Sequence, residues 1–167
     1  MAIGKALYSS QSEEWETPHD LFLVLNKRFQ FTLDPCATPE NAKCQRFFTR
    51  TDDGLVQSWS GQRVFMNPPY GREIGHWLQK AKTEATKGAL VVCLVHARTD
   101  TRWWHEHVEN GADEIYFIRG RLKFLFRKKA KLTSPFPSAV VVYLPKVAGL
   151  QLHKSRTVDP MLGRTNG

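Results

Sequence analysis

Apolar positions change their spacing several times along the chain, and each change marks an element. Thr17-Pro18 followed by Asp20 reads as a helix start, with an N-cap, a proline at the first helical position and an acid in the first turn. Leu21, Phe22, Leu25 and Phe29 then recur at helical spacing. Residues 29–33 predict a short strand ending at Asp34-Pro35, and residues 46–49 a second. Val64-Phe65-Met66 predicts a third, stopped by Pro68-Pro69 because proline cannot donate to a ladder. Ile74, Trp77, Leu78 and Ala81 mark an amphipathic helix closed near Gly88. Residues 89–95 are continuously apolar, as in a strand buried on both faces. Trp103, Trp104, His107 and Val108 predict a helix ended by Asn110-Gly111, and residues 114–118 and 139–144 the last two strands. Alternating strands and helices of this kind predict an α/β fold with an open, mostly parallel sheet. Residues 1–14 and 149–167 are polar and without period, which predicts flexible tails on a domain of residues 15–148.

Composition narrows the class. The 167 residues are 41% hydrophobic and 24% charged, an ordinary globular balance. No apolar run approaches the roughly 20 residues of a membrane span, and the first residues lack the apolar core of a secretory signal. The three cysteines, Cys36, Cys44 and Cys93, are odd in number and form no CxxC pair, which points to a reducing compartment. The histidines and cysteines show no zinc-site spacing, so no metal is expected. These features predict a cytoplasmic protein with no membrane contact. The net charge of +8 suits a polyanion such as nucleic acid, or only a soluble basic surface.

Candidate chemistry lies in Asn67-Pro68-Pro69-Tyr70, directly after a predicted strand. Two prolines make the loop stiff and leave bare carbonyls. Asn67 offers an amide oxygen and Tyr70 a flat face. The Asn67 oxygen and the Pro68 carbonyl could hold the two N–H bonds of a planar exocyclic amine. Such a nitrogen is a poor nucleophile, and two acceptors favour its pyramidal form and stabilise its growing positive charge. A tight turn after a strand is the plainer alternative.

Several segments accompany this loop in order: Trp15-Glu16-Thr17-Pro18, Leu33-Asp34-Pro35-Cys36-Ala37, Asn41-Ala42-Lys43-Cys44, Asp53-Gly54-Leu55, Ala97-Arg98-Thr99-Asp100-Thr101 and Gly120-Arg121-Leu122-Lys123-Phe124. Together they resemble the compact phage-type DNA N6-adenine methyltransferase family over about residues 15 to 145. The resemblance implies a Rossmann-like fold with a C-terminal antiparallel hairpin, S-adenosylmethionine as cofactor and DNA as partner. It also implies a phage-type origin and a role in protection from restriction in the host cytoplasm. It assigns catalysis to Asn67, Pro68, Pro69 and Tyr70. Trp15, Thr17, Pro18, Asp34, Pro35, Cys36, Ala37 and Asp53 fall to the cofactor, although no Gly-x-Gly follows Leu33. The plainer alternatives are a helix or turn cap for Asp34 and an exposed turn aspartate for Asp53. No acid for the cofactor ribose stands out. The strands ending at Asp34 and Asn67 are expected side by side.

The target base must leave the duplex to reach Tyr70. Arg121, Lys123, Arg127, Lys128 and Lys129, with Phe124 among them, suit a nucleic-acid strand, and Phe124 is the candidate for the second face of the base. A solvated hairpin with core phenylalanines is the alternative. Arg98-Thr99-Asp100 follows a buried strand and is placed against DNA or at a helix cap. Two other functions stay open on these residues: methyl transfer to an RNA base or a protein glutamine, and a nucleic-acid-binding homologue without turnover.

Overall fold

The structure is a computed structural model that describes residues 15–126, 130–146 and 155–157. Its main sheet has seven strands in the order β10-β6-β9-β5-β4-β2-β3. They are β2 (Leu33–Asp34), β3 (Arg46–Phe47), β4 (Arg63–Met66), β5 (Leu90–His96), β6 (Glu114–Phe117), β9 (Ser138–Tyr143) and β10 (Ser155–Thr157). Six of the seven run in one direction, and β9 opposes its neighbours β5 and β6. A smaller antiparallel sheet joins β1 (Trp15–Glu16) to the hairpin β7 (Lys123–Phe126) and β8 (Ala130–Thr133).

Strand alternation sorts the core into two layers. Val91, Cys93 and Val95 of β5, with Val64 and Met66 of β4, face Ile74, Trp77, Leu78 and Ala81 of helix α2 (Ile74–Thr86). The intervening Leu90, Val92, Leu94 and Phe65 face Leu21, Phe22, Leu25 and Phe29 of helix α1 (His19–Phe29). Each Val, Leu, Ile, Phe or Met among them contributes about 1.5–3 kcal/mol on full burial. Helix α1 ends where Gln30 turns left-handed (φ 52°) and the Asn26 side chain accepts the Phe31 N–H at 2.8 Å. Helix α2 gives way to Gly88, whose φ of 92° suits a residue without Cβ.

Three expectations are corrected here. Thr17 does not cap α1: the helix begins at His19, Pro18 occupies the cap position, and no side-chain cap bond is made. The third helical segment, Trp104–Glu109, is wound as a π-helix, with the Asn110 N–H reaching back to the His105 carbonyl. Residues 155–157, expected in a tail, form β10 alongside β6. An edge strand needs backbone pairing on one side only, so Ser155 and Arg156 carry no apolar signal for it. The remainder of both expected tails, residues 147–148 of the expected domain, and Arg127, Lys128 and Lys129 lie outside the described residues.

Candidate active site

Strands β2 and β4 are adjacent and parallel, with Leu33 opposite Val64. Their carboxyl ends therefore open on the same edge of the sheet, where ligands of such folds bind. The loops that follow are in contact. The Cys36 thiol donates to the Asn67 carbonyl at 3.3 Å.

Asp34 is buried and organises the first loop. Its two carboxylate oxygens accept the backbone N–H groups of Cys36 (3.5 Å) and Lys43 (3.0 Å). Burial raises its pKa to about 6, against the opposing pull of the Lys43 and Cys36 N–H groups and the Lys43 charge. Burial also pushes the Cys36 thiol up, aided by the Asp34 charge, so this sulfur is an inert donor. The Ala37 N–H bonds to the Phe48 carbonyl at 3.0 Å.

Asp53 lies next to this loop through its neighbour. A Cβ on Gly54 would stand 2.1 Å from the Pro35 carbonyl oxygen, so only glycine permits the approach. Asp53 itself is exposed, has a φ of 51°, and its Oδ1 accepts the Leu55 N–H at 3.2 Å. The segment is held from behind. Trp59 Nε1 donates to the Gly54 carbonyl at 3.0 Å, and the Trp59 N–H bonds to the buried Glu84 at 2.8 Å. Burial pushes the Glu84 carboxyl up, but Lys80, the Trp59 N–H and Lys87 outweigh it and leave it below its ordinary range. Strand β3 runs into Phe48 and Thr49, and the nearby Asp52 carboxylate is bonded to the Thr49 N–H and hydroxyl.

In the second loop Asn67 is bonded at both ends of its amide. Nδ2 donates to Thr17 Oγ1 at 3.1 Å, and Oδ1 accepts the Tyr70 hydroxyl at 2.9 Å. Thr17 is 2% exposed, so its hydroxyl serves this internal bond. Pro68 is buried, and Pro69 and Tyr70 are partly so. Burial holds the Tyr70 phenol well above its ordinary pKa, with a smaller push from Cys36. The Tyr70 ring stacks on the His96 imidazole, with centroids 3.9 Å apart and planes 6° from parallel. His96 is a site residue that the sequence reading missed; its only local signal is a polar end to an otherwise apolar strand.

The expected nucleic-acid residues are arranged differently from one another. Phe124 is corrected: it is fully buried in the α1-side core, and its ring and that of Tyr70 make a T-shaped pair at 6.4 Å and 73°. No base fits between rings so placed. Arg121 and Lys123 are exposed, and Arg121 donates to the Pro135 carbonyl. Arg98 binds Asp100 with two bonds of 3.0 and 3.1 Å and lies over the Phe136 ring. It caps no helix. Among the described residues no cluster of His, Cys, Asp or Glu is arranged to hold a metal, and no helix is long and apolar enough to cross a membrane.

The DNA N-6-adenine-methyltransferase (Dam) family profile matches residues 5–150. The chain belongs to this family. A DNA N-6-adenine-methyltransferase of Haemophilus phage HP1 is 28% identical over 141 residues, covering 82% of each protein. One of Escherichia phage T1 is 29% identical over 104 residues, 61% of this chain and 43% of that protein. A solved structure from Listeria monocytogenes, named as a class I S-adenosylmethionine-dependent methyltransferase, superposes with a TM-score of 0.61 at 12% identity, covering 96% of this chain and 73% of that one. At that identity the likeness concerns the fold, which is the class I methyltransferase fold.

Proposed function

We propose that the protein transfers a methyl group from S-adenosylmethionine to the N6 amino group of adenine in DNA. The observation that carries this reading is the meeting of the Asp34–Ala37 loop with the Asn67–Tyr70 turn at one sheet edge, where Cys36 touches the Asn67 carbonyl. Family membership supports the substrate and the reaction.

The residues present fit the cofactor. The glycine-only contact between Gly54 and Pro35 brings the segment that carries Asp53 against the loop that carries Asp34. Trp15, Pro18, Asp34, Pro35, Ala37 and Asp53 would hold S-adenosylmethionine, with Thr17 and Cys36 shaping the crevice through their bonds to Asn67. When bound, the cofactor supplies an electrophilic methyl group on a sulfonium sulfur. Asn67 Oδ1, which accepts the Tyr70 hydroxyl, and the Pro68 carbonyl are the acceptors for the two N–H bonds of the target amine, and they stabilise the positive charge the nitrogen acquires. Proximity supplies much of the remaining rate. DNA engages the exposed Arg121 and Lys123 together with Arg127, Lys128 and Lys129.

Incubation with methyl-labelled S-adenosylmethionine and unmethylated DNA, followed by nucleoside analysis, tests the reading. Label in N6-methyladenine is expected. Label in another base, in RNA, in protein glutamine or nowhere overturns it.

A further inference from the structure

We propose that His96 is a positioning residue for Tyr70, a fixed backing plate that sets the plane of the ring on which a flipped base is received. The proposal rests on the DNA-methylation reading for its purpose, and on geometry for its content.

The Tyr70 hydroxyl bond to Asn67 fixes one end of the side chain but not its plane. The phenolic oxygen lies on the axis about which the ring turns, so that bond tolerates any ring rotation. Tyr70 also sits on a loop, without ladder partners to stiffen it. A face-on contact resists rotation of the plane, because turning the ring would drive its edge into the neighbour. The imidazole at 3.9 Å and 6° makes that contact, and the T-shaped pairing with Phe124 adds a further restraint.

His96 is well built for the task. It is the last residue of β5, which is paired with β4 on one side and β9 on the other, and His96 itself lies opposite Ser138. Its Nε2 is 3.4 Å from the Ser134 hydroxyl, and its ring packs 5.2 Å from Phe136. Burial, with the charges of Arg98 and Arg121, pushes its pKa down to about 4. The ring is therefore neutral at physiological pH, and the stack carries no buried charge.

Two variants separate a flat ring from mere volume. His96→Phe keeps a planar ring, whereas His96→Leu fills the space without one. Melting temperature and S-adenosylmethionine affinity check that both fold and bind. With ring-labelled tyrosine, NMR should find the Tyr70 ring protons shifted upfield in the wild type and in His96→Phe, and returned toward ordinary values in His96→Leu. The kcat for N6-methyladenine formation should fall about tenfold or more in His96→Leu, the scale expected of a misplaced reacting group, and be largely restored in His96→Phe. A His96→Leu enzyme as fast as the wild type, or faster, overturns the proposal, since the imidazole would then be idle or in the way. A His96→Phe enzyme as slow as His96→Leu overturns it too, by assigning the effect to the ring nitrogen. If the wild type methylates no adenine, the underlying reading fails, and the NMR comparison still decides whether His96 sets the ring plane.

Discussion

Asn67 has one side-chain bond behind it and one beside it, and the two have different consequences when lost. Asn67→Ala removes the acceptor for the target amine, so transfer should fall by about a thousandfold, the size of effect seen when one charge-stabilising group is removed. Equilibrium binding of S-adenosylmethionine, measured by calorimetry, should stay near the wild-type value. Thr17→Val removes the buried hydroxyl to which the Asn67 amide donates. Losing one such hydrogen bond costs about 0.5–1.5 kcal/mol. The kcat should fall while Thr17→Ser, which restores the hydroxyl, recovers it. Asp34 yields a prediction about pH. Its folded pKa is raised from 3.8 to about 6, so the folded protein holds a proton that the unfolded chain has released. The associated stability is complete below pH 3.8 and is lost as pH rises through 6. Relative to Asp34→Asn, the wild type should lose stability across that window by up to about 1.4 kcal/mol per pH unit and then level off. A pH-independent difference in denaturation midpoint between the two proteins would contradict it. At this scale the sequence offered candidate side chains, but not their partners. Thr17 looked like a cap because threonine before proline usually is one. Its partner lies fifty positions away. His96 meets Tyr70 only when β4 and β5 are side by side.

The elements were easier to read than their ends. Helices α1 and α2 and strand β5 show as sustained apolar patterns, because each buries a continuous face in one of the two core layers. The two-residue strands β2 and β3 were placed correctly but drawn too long, since flanking residues such as Phe31 and Phe48 pack as apolar side chains without extending the ladder. The hairpin β7–β8 could not be oriented from its alternating charges and aromatics. Burial in the core layer that α1 also lines decides that Phe124 points inward, and most of that layer is remote in sequence. Gly54 joins two segments with no side chain between them. Gly54→Ala should force the Pro35 carbonyl away and lower stability by about 1–3 kcal/mol, as overpacking does. Thermal melting reads that loss. Weaker S-adenosylmethionine binding in the same variant would tie the contact to the cofactor crevice.

For the whole molecule, charge and topology set the behaviour. The net charge of +8 makes association with DNA dependent on salt. Arg121→Ala combined with Lys123→Ala should weaken DNA binding and reduce the slope of log affinity against log salt by about 2, if each contacts one phosphate. An unchanged slope, measured by fluorescence anisotropy, would remove both from the interface. Topology matters in another way. Strand β9 lies between β5 and β6, yet it is made after both. While the ribosome is still adding residues 97–137, the nascent polypeptide displays β5, seven residues rich in valine and leucine, with one edge unsatisfied. That interval is when the chain is most exposed to self-association and most in need of a chaperone. A gene cut short before Ser138 should yield inclusion bodies, and in refolding, methylation and protection of the β5 amides should return together as the late strand closes the gap.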